Sequence, residues 1–161
     1  MKSLIKSFMV LLLILVLIPV LAGCGDGMPR CYPVSGTVYV DGKPLEGEFD
    51  GTIRFVSATP DEKYGRPATS QIDANGHFAL TSFKDGDGCP KGTYGVELYV
   101  YQQKGNKTLR LVPSRCESAA TSQITAEVTG ATSEMKIDVT WLPEDAADRK
   151  PVSPASGLTA D

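Results

Sequence analysis

The sequence predicts an all-β fold in which two antiparallel sheets pack face to face. Three observations carry that expectation. Apolar residues recur with period two in seven short runs, the spacing that places alternate side chains on one face of a strand. Turn formers interrupt the runs: there are 16 Gly and 11 Pro, against a single His and a single Trp, a density that favours short strands over a helical bundle. No stretch beyond the N-terminal region repeats at helical spacing, and sheets with one apolar face each are stabilised by covering one another.

The runs follow in order. Val34, Gly36, Val38 and Val40 share one face, with Ser35, Thr37 and Tyr39 on the other, and Asp41-Gly42 turns the chain because glycine supplies the positive φ. Ile53 and Phe55 alternate with Thr52, Arg54 and Ser57. Gln71-Ile72-Asp73 leads into Ala74-Asn75-Gly76, a hairpin signal, after which Phe78 and Leu80 alternate with His77, Ala79 and Thr81. Tyr94, Val96, Leu98 and Val100 alternate with Gly95, Glu97, Tyr99 and Tyr101. Ile124, Ala126 and Val128 alternate with Thr125, Glu127 and Thr129, and Met135, Ile137, Val139 and Trp141 alternate with Lys136, Asp138 and Thr140. Residues 143–161, rich in Pro, Ala, Ser and Asp, bury almost nothing and are expected to form a disordered tail.

The N-terminus reads as an export signal. Lys2 and Lys6 precede an apolar run from Phe8 to Ala22, interrupted at Pro19. At 1.5 Å per residue such a run reaches about 22 Å, short of a hydrocarbon core of roughly 30 Å, and fits a secretory h-region better than a membrane span. It ends in Leu21-Ala22-Gly23-Cys24, which resembles the lipobox of bacterial lipoproteins. The resemblance implies a diacylglyceryl group on the Cys24 sulfur, cleavage before it, and an exported chain held on a membrane by its lipidated N-terminus. Gly25, not Asp, follows Cys24, so by the same resemblance no inner-membrane retention signal is present. The organisation is then a leader at 1–23, a polar tether at 24–32, a domain at 33–142 and a tail at 143–161.

The 161 residues suffice for one core. Formal charge is −3, from 16 Lys and Arg against 19 Asp and Glu, and losing Lys2 and Lys6 makes the mature chain more acidic still. Without a basic cluster, nucleic acid is disfavoured as a partner.

Several segments together resemble a known family. They are VSGTVYVDGKPL from Val34, GTIRFV from Gly51, GRPAT from Gly65, IDANGHFAL from Ile72, GDGCPKGTY from Gly86 and TSQITAEV from Thr121. This looks like the carboxypeptidase regulatory-like (transthyretin-like) domain of small bacterial lipoproteins, and covers roughly residues 33–141. It implies a seven-stranded antiparallel Greek-key β-sandwich, immunoglobulin-like in outline, that is non-catalytic and needs no cofactor. Its motifs are turn and core residues, which identify a fold rather than an activity. Where the family has Ala and an aromatic residue, this chain has Cys89 and Cys116; the paired departure implies a disulfide between them, with Cys31 as the alternative partner for either. An exported compartment permits such a bridge.

Candidates for chemistry are few. His77 follows the Asn75-Gly76 turn and faces away from Phe78 and Leu80, and no Gly-x-Ser-x-Gly nucleophile elbow accompanies it. Enzymes on the transthyretin fold that hydrolyse 5-hydroxyisourate use several His and a Tyr-Arg-Gly-Ser end, which this chain lacks, so a hydrolase is the least favoured reading. Asp85-Gly86-Asp87-Gly88 resembles a calcium loop, but Cys89 and Pro90 stand where a further oxygen ligand is needed; no metal site is expected, zinc included. Tyr39, Tyr99 and Tyr101 point outward by the alternation and offer a candidate contact surface for a glycan or peptide, or else pack across strands. Arg54 and Arg66 are candidates for holding an anionic group. The function expected is that of a structural or interaction module of the envelope, binding a protein or glycan, with a carbohydrate- or peptide-binding accessory module as the alternative.

Overall fold

A computed structural model describes residues 28–59 and 65–151. The leader, Cys24 and most of the tether lie outside the described residues, as does the tail from residue 152 onward. Nine strands form two sheets: β1 (Val34–Val40), β2 (Lys43–Pro44), β3 (Asp50–Ser57), β4 (Ala68–Gln71), β5 (His77–Ala79), β6 (Gly92–Lys104), β7 (Lys107–Arg110), β8 (Thr125–Val128) and β9 (Thr132–Val139). In the first sheet β1 pairs antiparallel with β2 and β5 and parallel with β9. In the second the order is β4-β3-β6, with β7 and β8 both on the remaining edge of β6.

Two expectations are corrected here. The described residues form nine strands rather than seven, and one pairing, β1 with β9, is parallel. The added strands are β2, of two residues, and β7, whose sequence KTLR is too short and polar to show alternation. The parallel pair arises because β8 and β9 belong to different sheets; β9 therefore starts beside the beginning of β1, with Thr132 opposite Val34. Alternation reports which face a residue takes and carries no information about the direction of the neighbouring strand.

The buried faces share one core. Val34, Val38, Phe78, Ile137 and Val139 come from the first sheet, and Ile53, Phe55, Tyr94, Val96, Leu98, Val100, Ala126 and Val128 from the second. Phe55 reaches across to Phe78 at 6.2 Å between ring centroids and lies 5.8 Å from Tyr94. Burying each such large side chain contributes roughly 1.5–3 kcal/mol.

After β7 the chain leaves the edge of β6 and crosses the outer side of that strand. It forms a 3₁₀ helix at Ser114–Glu117, and Ala119 lies against Gly95, where an added Cβ would stand 2.8 Å from the Ala119 Cβ. A second 3₁₀ helix, Pro143–Arg149, occupies the start of the segment expected to be tail. Its carboxylates explain the order: Asp145 is only 6% exposed and accepts from Arg115 Nε at 3.2 Å and Leu142 N–H at 2.9 Å, while Asp148 accepts from Ser114 N–H at 2.8 Å.

Candidate functional site

The three outward tyrosines do not form one surface. Tyr39 lies on β1 in the first sheet, with Lys136 Nζ 5.6 Å from its ring centroid. Tyr99 and Tyr101 lie on β6 in the second sheet and are tied down by Glu117. The Tyr99 hydroxyl donates to the Glu117 carbonyl at 2.6 Å, and the Tyr101 hydroxyl donates to the Glu117 carboxylate at 2.6 Å. Arg110 Nε donates to the same carboxylate at 2.8 Å, an interaction that raises the Arg110 pKa. Burial, reinforced by Glu117, pushes the Tyr101 phenol upward as well. Beside them Arg54 pairs with Glu97 at 2.9 Å, directly across the β3–β6 ladder. The outer side of β6 is therefore a closed polar network, and its aromatic hydroxyls are satisfied from within.

Cys31, Cys89 and Cys116 are free thiols, so the Cys89–Cys116 bridge and its Cys31 alternatives are not formed. Cys89 is pinned beside Tyr32 by a pair of backbone hydrogen bonds of 2.9 and 3.1 Å and interacts with Tyr94 on the core side of β6. Cys116 sits in the 3₁₀ helix that crosses the outer side of β6, near Arg115 and Asp145. Both are buried in the core cluster, and neither is bonded to a partner. Burial pushes all three thiols up to about 11, with the Asp87 carboxylate adding to the shift at Cys31. At neutral pH they stay protonated and are poor nucleophiles.

His77 serves its turn. The Asp73 carboxylate accepts the backbone N–H groups of Asn75 and His77, each at 2.8 Å, and the His77 ring sits 3.4 Å from the same carboxylate, exposed to solvent. In the Asp85–Gly88 loop, Asp87 accepts the backbone N–H groups of Ser82, Phe83 and Lys84 at 2.8, 3.1 and 3.0 Å. Partial burial opposes its ionisation, but these bonds outweigh that and hold its pKa below the ordinary value. The carboxylate thus caps its own loop. Among the described residues, no three His, Cys, Asp or Glu side chains are grouped as metal ligands would be.

Two adjoining cavities lie at the end where β1 and β6 begin, and a larger one of about 380 Å³ lies at the other end, lined by Gly47–Asp50, Ala74 and Gln103. One cavity of about 320 Å³ is lined by Met28, Arg30, Cys31, Phe83, Lys84 and Asp87 among others. A second, of about 220 Å³, adjoins it through Pro29 and is lined by Ser57, Arg66, Lys91 and Tyr94. Tyr94 donates its hydroxyl to the Pro90 carbonyl at 2.7 Å, and burial raises its pKa. Arg66, one of two arginines singled out for anion binding, is in this second cavity; Arg54 is occupied by Glu97.

Sequence reasoning did not single out Arg115, Glu117 or Asp145, because they sit in segments without periodicity. Their signal was limited to charged residues flanking a cysteine just after Pro113. Comparison with family models, with curated proteins and with solved structures returns no match for this chain.

Proposed function

We propose that this chain is an exported, lipid-anchored and non-catalytic β-sandwich lipoprotein of the cell envelope, acting as a structural or interaction module for an envelope protein or glycan. The observation that carries the proposal is Leu21-Ala22-Gly23-Cys24 at the end of an apolar run, shortly before the first strand at Val34. Two largely antiparallel sheets around one core support the finer reading as a Greek-key domain resembling the carboxypeptidase regulatory-like, transthyretin-like family. The engagement of the polar groups favours a module over an enzyme: His77 braces a turn, Asp87 caps a loop, and the Cys89 and Cys116 thiols are buried.

Intact mass of the protein extracted from membranes tests the anchor. The expected chain begins at Cys24 and carries added acyl groups, and a Cys24→Ser variant moves to the soluble fraction. An unmodified Cys24 on native protein overturns the proposal. Capture of a specific protein or glycan from intact envelope supports the interaction role; retrieval of nothing above background counts against it.

A further inference from the structure

We infer that the end of the domain nearest Cys24 is a membrane-contacting surface for the phosphates of anionic lipid headgroups; the inference rests on the reading that Cys24 is lipidated. Met28 is 49% exposed, the only exposed large hydrophobic residue among those described. Next to it Arg30 and Lys91 flank the ring of Tyr32, at 5.2 and 5.0 Å from its centroid. The two cavities that meet at Pro29 add Lys84 on one side and Arg66 on the other. All four cations are exposed. Among the described residues, Arg30, Lys84 and Lys91 have no carboxylate within ion-pair distance. Of the acidic groups at this end, Asp87 is committed to the Ser82–Lys84 amides, while Asp85 on the loop, Glu127 opposite Thr93 and Glu134 beside the start of β1 are exposed.

The opposite end is the more acidic of the two. Asp41, Glu46, Glu48, Asp50 and Asp73 are exposed there, against Lys43, Lys104 and Lys107. An acidic chain thus gathers four cations around the Met28–Tyr32 segment, where its N-terminus emerges. Four residue steps separate Cys24 from Met28 and span at most about 14 Å, so a lipid on Cys24 holds this end within reach of the headgroups. Methionine and tyrosine among lysines and arginines suit the boundary between headgroup and acyl chain. Docking this end would turn the acidic end outward, toward any envelope partner.

The test uses the full lipidated protein in vesicles of phosphatidylcholine alone or with about one third phosphatidylglycerol, read by hydrogen exchange. The expected result is slowed exchange in residues 28–33 and 84–92 on the anionic vesicles only. Each cation near an anionic surface strengthens association about five-fold. The Arg30→Gln/Lys91→Gln double variant should therefore lose docking about 30-fold and exchange as on neutral vesicles, with its thermal melt unchanged. Equal protection on both vesicles, or protection that survives the double variant, overturns the surface. Protection by inorganic phosphate without vesicles overturns it in favour of a soluble anion site. A mass without acyl groups on Cys24 removes the anchor and the geometry that depends on it; acylated protein that fails to dock overturns this inference alone.

Discussion

Gly36 shows how much one missing side chain can decide. It lies on the buried face of β1, where the register to β9 shifts, and a Cβ there would fall 1.9 Å from the Met135 carbonyl oxygen. Because that atom is backbone, it yields only if β9 moves. Gly36→Ala is expected to destabilise the domain by about 3 kcal/mol, measured by urea denaturation. Asp87 decides its loop by charge. Its folded pKa lies below the ordinary 3.8, so the unfolded chain takes up the proton first as pH falls. The contribution is fully present above about pH 4 and is lost as pH falls through the depressed folded value. Asp87→Ala should cost about 1 kcal/mol at neutral pH and flatten the loss of stability between neutral and acid pH, followed by thermal melts across that range. Asp87 stood out in the sequence as half of a calcium-like pair. Its partners are backbone amides of residues 82–84, and which amides a loop turns inward cannot be read from composition.

Among the elements, the strands were the legible part and the crossing segment was not. Alternation in β6 correctly sorts Tyr94, Val96, Leu98 and Val100 into the core. It also turns Tyr99 and Tyr101 outward, but says nothing of the chain that folds over them. Residues 111–122 and the helix at Pro143–Arg149 are held by Arg115, which joins Asp145 at 3.2 Å, the Ser122 carbonyl at 2.9 Å and the Thr140 carbonyl at 2.6 Å. Removing it leaves a nearly buried carboxylate without its cation. Arg115→Ala should cost about 3 kcal/mol and open residues 142–151 to limited proteolysis while cleavage elsewhere is unchanged.

At the scale of the whole molecule, stability comes from the shared core and not from a covalent clamp. All three described cysteines are free, so the melting temperature should be the same with and without reductant. Three thiols should also be alkylated in unfolded protein that was never reduced. A fall of several degrees on reduction, the size a bridge of 2–4 kcal/mol implies, would overturn the free-thiol state. The gathering of four cations is likewise a property of the assembled fold: Arg30, Arg66, Lys84 and Lys91 are scattered in sequence and share one end only after β1, β3 and β6 are in place.

The sequence by itself determined that this chain forms sheets and which side chains those sheets bury, because period two assigns a face residue by residue from local geometry. It also carries Leu21-Ala22-Gly23-Cys24, the linear segment on which the proposed anchor rests. Only the tertiary structure decided that β9 runs parallel to β1, that Tyr39 is parted from Tyr99 and Tyr101, and that Cys89 and Cys116 are unbridged. Each of these depends on which distant segments meet, and pairing between distant segments is settled by the closure of the core as a whole rather than by any window of residues.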